Sequence, residues 1–479
     1  MNNLELQRQL GLPTAILVVV ASMIGTGIFI TTGELLAMTH SALVILILWI
    51  VALIVAVTGS LCYAELAAMW PDVGGEYVYL KKTFGLLPSF LTGWISLVIG
   101  FTACVAITSI TVAEYLHQFF NSVYGAGSAI TVFFANPWNK KIFGSCIILF
   151  FGAVHILGVR TGGFVQNVLT VMKLLIIVSL VGFGAYYIDW SQAGRLVEVY
   201  EETGISSSGT ANGTGIPVMG LALLIVMFSY TGWNGASYLA GEIKNPEKNL
   251  PRALLIGTIV TSVLYLLLNI VFILSAPGAD LMGQKAIGAV ATRSLFGPGV
   301  SSFFTLAIAL ILLSSISVEI MIGPRVYYAM AKDKMLFSSL GSVSERFKTP
   351  AFAISLQVVL SIFYVFIGNS TILMEYMGFA LGIFPVVTVI GLIYMRVKHP
   401  EIPRPFKVPF FPVLPLIFIV ISLFMLIAGF LAWTSTSKFA LLVVVAGVPV
   451  FYLWRWVMGR RHPVPQVIAP CQSCVEEAE

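Results

Sequence analysis

Charged residues are scarce in this sequence, and their scarcity defines the surroundings that the chain needs. Of its 479 residues only 10% are Asp, Glu, Lys or Arg, whereas 58% are hydrophobic. Soluble domains carry roughly 25% charged residues. A chain so poor in charge has too little polar surface to face water, so we expect lipid to surround it. The long apolar runs also exclude a transmembrane β-barrel, whose strands would alternate polar and apolar side chains.

Other absences argue against whole classes of function. The basic residues are spread thinly, so nucleic acid is not an expected partner. An intramembrane enzyme would need a nucleophile–base set or metal ligands, and the five scattered histidines supply neither, so we expect no enzyme activity, metal or cofactor. A channel would need a charged or carbonyl filter, and no such motif is visible. Enzyme and channel remain as the alternatives from other classes.

Cysteine is also rare. Three of the five cysteines, Cys62, Cys104 and Cys146, lie in apolar runs and are expected to be small buried hydrophobic residues. Cys471 and Cys474 form a Cys-x-x-Cys pattern in a short polar tail. The tail lacks the further ligands that a metal or redox site needs. The polar N-terminus, followed by an apolar run too long for a secretory signal, predicts no cleaved leader.

Twelve apolar segments are each long enough to cross a bilayer, which takes roughly 20 residues. They lie near residues 13–38, 43–69, 86–113, 141–158, 164–187, 217–241, 252–276, 299–329, 351–367, 371–395, 410–432 and 438–457. The sequence therefore predicts an all-α membrane protein with twelve transmembrane helices. No loop is long enough for a separate soluble domain.

The positions of lysine and arginine predict the orientation. With a cytoplasmic N-terminus, 19 of the 26 basic residues fall in inside segments, six in outside loops, and Lys173 alone lies within a span. Both termini are therefore expected in the cytoplasm. The predicted sections are a cytoplasmic N-terminus (1–12), a first half of five helices (13–187), an extracellular loop (188–216), a second half of five helices (217–395), helices 11 and 12 (396–457) and a cytoplasmic tail (458–479).

Spans one and six carry the most informative local pattern. Span one contains Ile24-Gly25-Thr26-Gly27, and span six contains Phe228-Ser229-Tyr230-Thr231-Gly232-Trp233-Asn234-Gly235. Glycine costs a helix about 1 kcal/mol relative to alanine, so both segments are places to unwind. Paired interruptions in corresponding helices indicate a midplane site in transporters with inverted repeats. Close helix packing through glycine is the alternative interpretation.

Several segments, in order along the chain, resemble the amino acid–polyamine–organocation superfamily, most closely the L-type amino acid transporters and their prokaryotic relatives. The resemblance extends from about residue 10 to about residue 430. The segments that carry it are 24–29, 62–66, 71–77, 230–234 and 241–251, together with the tenth span, which ends in Arg396.

The resemblance implies a core of two inverted five-helix repeats with discontinuous helices 1 and 6, plus two additional C-terminal helices. It implies that a substrate carboxylate binds the amides around Gly25, Thr26 and Gly27, and that the α-amino group meets carbonyls near Ile24 and Phe228. Phe228 would form an aromatic gate. The remaining side-chain pocket would include Ser229, Thr231, Trp233 and Asn234.

The resemblance also bears on partners. The human L-type light chains join a heavy chain through a cysteine in the loop after span three, and the corresponding loop here, about 114–140, has none. We therefore expect no disulfide-linked heavy chain, a monomer or weak homo-oligomer, and a prokaryotic cell membrane as the location.

Two ionisable residues lie within spans. In the family, a lysine at the place of Lys173 stands where sodium-coupled relatives hold sodium, so the resemblance implies sodium independence, with Ser315 and Glu319 of span eight close to that place. A purely structural role for Lys173 is the alternative. Glu319 is expected either to pair with Lys173 or relay a proton, or to lie in water near the cytoplasmic end.

Substrate charge follows from the same segments. Span six has no acid or base between Val218 and Gly241, and no acid is near the break in span one, so a cationic side chain would lack a partner. The sequence predicts a secondary transporter for small to medium neutral L-amino acids. Its expected mode is exchange, and proton-coupled symport of amino acids or polyamines is the alternative.

Overall fold

The computed structural model describes residues 6–199, 216–284, 287–367, 370–432 and 434–459, and the described residues form helices joined by short connections. The α-helices, in chain order, are α1 (Leu12–Met23), α2 (Gly27–Thr39), α3 (Ala42–Met69), α4 (Glu76–Phe84), α5 (Leu86–Ile95), α6 (Phe101–Tyr124), α7 (Ala129–Ala135), α8 (Pro137–Ile156), α9 (Val159–Tyr187), α10 (Ile216–Tyr230), α11 (Pro246–Ser275), α12 (Gly278–Leu281), α13 (Ile287–Lys332), α14 (Ala351–Ile367), α15 (Ser370–Lys398), α16 (Val413–Ala432) and α17 (Thr434–Gly459). A π-helix (Ser96–Gly100) joins α5 to α6, and 3-10 helices span Trp190–Val197, Gly235–Glu242 and Ser338–Gly341.

Eleven of the helical segments in the described ranges are long and apolar enough to cross a membrane. They correspond to eleven of the twelve expected spans. The segment at the place of the ninth, α14, is apolar but only 17 residues long. The all-helical membrane class is therefore confirmed, whereas the count of twelve crossings and the internal repeat stay predictions.

Two helical regions lie outside the predicted spans. The connection between spans two and three contains α4, whose buried residues include Glu76, Tyr77 and Tyr79. The helix α13 begins at Ile287, before the expected start of span eight, and bends at Gly297, whose φ is +77°. The residues of α13 before Gly297 therefore form a short helical piece that precedes the apolar eighth span.

Each long helix has a protein-facing and an outward-facing side. On α9, Lys173 is completely buried, whereas Leu175 is 63% exposed. Such exposed leucines and phenylalanines recur along the outer helices, and apolar side chains of this kind are expected to face lipid. Cys62 is buried as expected and Cys104 is partly buried, but the expectation was wrong for Cys146, which is exposed on α8. Cys471 and Cys474 lie outside the described residues.

Ion pairs tie the helix ends together at the predicted cytoplasmic end of the molecule. The buried Glu242 accepts from Arg325 Nε at 2.7 Å and from Nη2 at 3.1 Å. Lys81 and Asp333 form a partly exposed pair at 2.5 Å. The carboxylate of Glu65 is fully buried and pairs with Arg396.

Three groups surround Glu65. Arg396 Nε donates to its carboxylate at 2.8 Å, the amide of Val408 donates at 2.7 Å, and Arg404 Nε lies 3.4 Å away. Glu65 therefore joins α3 to the end of α15 and to the connection that follows. Glu114, by contrast, pairs with Lys140 at 2.7 Å and is 46% exposed, as expected for a carboxylate near water.

Candidate functional site

The first span is interrupted where its sequence predicted. Helix α1 ends at Met23 and α2 begins at Gly27, and Ile24 between them has an extended conformation, with φ −80° and ψ 93°. Gly27 permits the approach of the neighbouring break, because a Cβ there would lie 2.4 Å from Ser229 Oγ. The unwound segment is therefore stabilised by close packing against span six.

Span six is interrupted as well. Helix α10 ends at Tyr230, residues 231–234 form turns, and the chain continues as the 3-10 helix Gly235–Glu242. Gly232 has φ +92°, a conformation that favours glycine, and a Cβ there would lie 2.6 Å from the carbonyl oxygen of Ser22. The two interruptions therefore pack directly against each other.

A tyrosine on α11 joins the two breaks. The hydroxyl of Tyr265 lies 2.5 Å from the carbonyl oxygen of Met23 and 3.0 Å from that of Ser229, and can donate to either. Tyr265 is fully buried. Because unwound carbonyls inside a membrane are costly without a donor, this hydroxyl can stabilise either break and lies within reach of both.

A cavity of about 170 Å³ lies between the two breaks. Since one water molecule needs roughly 10–15 Å³ of such space, the cavity suits a single small molecule. Its wall includes eight of the nine residues expected to bind substrate, namely Gly25, Thr26, Gly27, Phe228, Ser229, Thr231, Trp233 and Asn234. Ile24 is fully buried beneath the break rather than in the wall.

The backbone amides of the first break form no hydrogen bond with the described part of the chain. Among the described residues, the N–H groups of Gly25, Thr26 and Gly27 donate to no backbone or side-chain acceptor. They lie at the N-terminus of α2, where the helix dipole is positive. Free amides at a helix N-terminus form an anion-binding site, and a carboxylate is an anion that fits it.

The carbonyls expected to meet an α-amino group are already engaged. The carbonyl oxygen of Ile24 accepts from Lys173 Nζ at 2.6 Å and from Ser315 Oγ at 2.8 Å. That of Phe228 accepts from the amide of Thr231 at 3.2 Å and from its hydroxyl at 2.7 Å. A carbonyl oxygen has two lone pairs. An ammonium group would therefore have to share or displace one of these donors.

Lys173 holds the broken helix against two neighbours. Its ammonium group also lies 3.2 Å from the carbonyl oxygen of Ala21 and 3.0 Å from Ser315 Oγ. An ammonium group has three N–H donors, and these three oxygens use all of them. Lys173 thus joins α9, the end of α1 and α13 through neutral acceptors.

Glu319 does not form the expected pair with Lys173. No ion pair joins the two side chains, and within the described ranges the Glu319 carboxylate accepts no hydrogen bond. The physical reason is that the three N–H donors of Lys173 already bond oxygens of Ala21, Ile24 and Ser315. Glu319 is instead partly exposed and lines the cavity, so the interpretation that places its carboxylate in water stays a prediction.

A second carboxylate lines the cavity and was missed as a site residue. Glu76 is buried at the start of α4 and accepts from Tyr63 at 2.5 Å, Asn234 at 3.0 Å and Thr92 at 3.2 Å. The argument that no acid lies near the breaks is therefore wrong. The one signal in the sequence was the Gly74-Gly75-Glu76 segment, which contributed to the resemblance without a role assigned to Glu76.

The remaining wall comes from residues that are distant in the sequence. The π-helix and α6 contribute Ser96, Gly100, Phe101 and Cys104, while Leu381, Phe418 and Met425 contribute apolar surface. π-Helical turns within longer helices are frequent at functional sites. Trp233 packs edge-to-face on Tyr63, with ring centroids 4.7 Å apart, which fixes its position in the wall.

Gly25 offers a direct test of where a ligand lies. A Cβ at Gly25 would meet no protein atom within 4 Å, so the Gly25→Ala variant is expected to fold normally while its methyl group occupies cavity space. We expect transport to fall roughly 10- to 100-fold, with unchanged thermal stability. The control is Gly182→Ala on α9, which also meets no atom within 4 Å but lies away from the cavity. Equal transport by both variants would contradict this placement.

Comparison with known proteins gives a consistent result. The family model described as "Amino acid permease" matches residues 10–451. The serine/threonine exchanger SteT of Bacillus subtilis (strain 168) is 30% identical over 451 residues, covering 93% of this chain and 97% of that protein. The b(0,+)-type amino acid transporter 1 of Mus musculus is 29% identical, covering 96% and 91%. The large neutral amino acids transporter small subunit 2 of Mus musculus is 28% identical, covering 94% and 81%.

Proposed function

The chain belongs to the amino acid permease family, and we propose that it exchanges small to medium neutral L-amino acids across the cell membrane without sodium. The observation that carries this proposal concerns the amides of Gly25, Thr26 and Gly27, which donate to no acceptor in the described ranges and line a cavity that suits one small molecule. An amino acid carboxylate would satisfy these amides. The named relatives, a serine/threonine exchanger and a large neutral amino acid transporter subunit, support neutral substrates.

Two carboxylates line the cavity, so the proposal of neutral substrates cannot rest on an absence of acidic residues. Glu76 is already satisfied by three donors from the protein, so it does not require a cationic substrate. Trp233, Phe228 and Leu224 provide apolar wall for a side chain of moderate size. Size selection is expected to be shallow, because one methylene changes binding by about 1–3 kcal/mol.

The proposed sodium independence depends on Lys173. Its ammonium group binds the carbonyls of Ala21 and Ile24 and the hydroxyl of Ser315, a set of oxygens of the kind that would otherwise suit a monovalent cation. A fixed positive charge at this place makes sodium binding unfavourable. Alternating access would then be driven by substrate gradients.

The proposed topology has twelve crossings, with α14 as the ninth, and two inverted repeats that each begin with an interrupted helix. Both termini would be cytoplasmic, as the distribution of lysine and arginine predicts. The proposed setting is a prokaryotic plasma membrane. No cysteine occurs in the loop after the third span, which supports a protein without a disulfide-linked heavy chain.

Exchange into proteoliposomes tests the proposal. Vesicles preloaded with threonine, alanine or leucine are expected to take up the labelled amino acid at least about tenfold faster than unloaded vesicles. Replacing sodium with choline should leave the rate unchanged. Uptake that is indifferent to internal amino acid, or that requires sodium, would contradict the proposed mode.

Proton-coupled symport is the second candidate, because Glu319 lines the cavity, accepts no hydrogen bond from the described residues and could carry a proton. It predicts accumulation in unloaded vesicles when the outside is acidified. Pure exchange predicts no net accumulation under the same gradient. The two modes are therefore separable in one experiment.

A further inference from the structure

Glu319 occupies a defined position relative to the substrate-binding break. It lies four residues after Ser315 on α13, so the two side chains share one face of the helix about 6 Å apart along its axis. Ser315 Oγ is fixed at 2.8 Å from the carbonyl oxygen of Ile24. The Glu319 carboxylate therefore lies about one helical turn from the break, within the cavity wall.

Glu319 differs from the other well-buried carboxylates of the described structure in having no donor. Glu76 has three donors, Glu242 has Arg325, and Glu65 has Arg396 and the Val408 amide. Leaving an ionised carboxylate in a membrane interior without a partner is costly. A group retained at that cost, and partly open to the cavity, is suited to bind something that enters it.

The rest of the cavity does not satisfy Glu319 either. Lys173, the basic residue nearest the break, has committed its three N–H donors to other oxygens. The Asn234 amide donates to Glu76 and to the Tyr238 hydroxyl. Leu224, Phe228, Leu381, Phe418 and Leu426 offer no side-chain donor, and no hydroxyl of the wall donates to Glu319 among the described residues.

We propose that Glu319 binds the side chain of the substrate and selects amino acids whose side chain donates a hydrogen bond, as a hydroxyl or an ammonium group does. This inference rests on the proposed function, because the amides of the first break must hold the substrate's carboxylate. An aliphatic side chain of the same size would leave the Glu319 carboxylate without a donor. Sites built to bond a polar substrate group discriminate strongly against analogues that lack it.

Pairs of nearly isosteric amino acids measure this selection. Threonine against valine tests a hydroxyl donor, and lysine against norleucine tests an ammonium donor, each by competition for exchange in proteoliposomes. We expect the donor-bearing member to compete roughly 10- to 100-fold better in at least one pair, the effect of a hydrogen bond to a charged acceptor. In the Glu319→Met variant that preference should fall to about one, while valine is still exchanged.

The Glu319→Gln variant separates the two donor types. Glutamine keeps an acceptor oxygen but loses the charge, so a preference for threonine should largely survive and a preference for lysine should be lost. Glu114→Gln is the matched control, because it makes the same chemical change in a carboxylate that pairs with Lys140 outside the cavity. It should leave every ratio unchanged.

The outcomes are distinct. A wild-type protein that exchanges amino acids without preferring either donor-bearing member would overturn the role of Glu319, as would preferences that persist in Glu319→Met. A wild-type protein that exchanges no amino acid would instead overturn the proposed function. Thermal stabilisation by threonine and by valine gives a second readout, since Glu319→Met should lose the difference between them even if its transport is slow.

Discussion

Replacing Arg325 with methionine is expected to destabilise the folded protein by about 3–5 kcal/mol, because it leaves the buried carboxylate of Glu242 without its cation. Arg325 is 1% exposed and Glu242 is fully buried. Two nitrogens of the guanidinium group bond the two carboxylate oxygens, and Arg325 Nη1 also donates to the carbonyl oxygen of Met321 at 2.6 Å. Thermal unfolding of the purified protein in detergent measures the loss.

The double variant Glu242→Gln/Arg325→Met distinguishes a buried pair from a simple loss of packing. Removing both charges eliminates the unpaired carboxylate, so we expect much of the lost stability to return. Lys81→Met is the matched control at the same end of the molecule. Its pair with Asp333 is partly exposed, with side-chain exposures of 36% and 22%, and should contribute at most about 1 kcal/mol. Equal losses in Arg325→Met and Lys81→Met would contradict this argument.

The same pair bears on alternating access. Glu242 ends the 3-10 helix that follows the second break, and Arg325 lies on α13, ten residues beyond Ser315 and six beyond Glu319. The carbonyl of Glu242 also accepts from the amides of Gln9 and Leu10, at 2.9 Å each, just before α1. Both broken spans and α13 therefore meet at one buried contact, and we expect any movement of these spans relative to α13 to strain it.

The sequence predicted the local features of the site well. The interruptions at Gly25–Gly27 and at Gly232 follow from glycines within apolar runs, and the burial cost of a mid-span charge singled out Lys173. These features are local, because helix propensity and hydropathy are properties of neighbouring residues. Both breaks lie where the sequence placed them.

The contacts between distant segments could not be predicted in the same way. Glu76 reaches the cavity because α4 packs inside the protein, although its residues read as a polar connection between two spans. Glu319 was one candidate partner for Lys173, but three neutral oxygens accept the N–H donors of its ammonium group. Hydropathy carries no information about which acceptor an ammonium group finds when several lie within reach.

Replacing Lys173 with methionine is expected to reduce exchange by about 100-fold while leaving the protein folded. The variant removes three hydrogen bonds, two of them to carbonyl oxygens at the end of α1, so that end loses its fixed position against α9 and α13. A displacement of roughly 1 Å in a positioned reactive group can cost about 100-fold, and we expect the substrate-binding amides to be comparably sensitive. Initial rates of exchange in proteoliposomes, normalised to inserted protein, measure the effect.

The control and a graded variant separate positioning from charge. Lys140→Met removes a lysine that pairs with Glu114 outside the cavity, and its exchange rate should stay near that of the wild type. Ser315→Ala keeps the ammonium group but removes one bond to the Ile24 carbonyl and one to Lys173, so it should fall between the two, roughly tenfold below wild type. Exchange by Lys173→Met at the Lys140→Met rate would mean that the break keeps its shape without the lysine. That result would leave the Ser315–Ile24 hydrogen bond, the Tyr265 hydroxyl and the direct packing of the two breaks as sufficient support of the site.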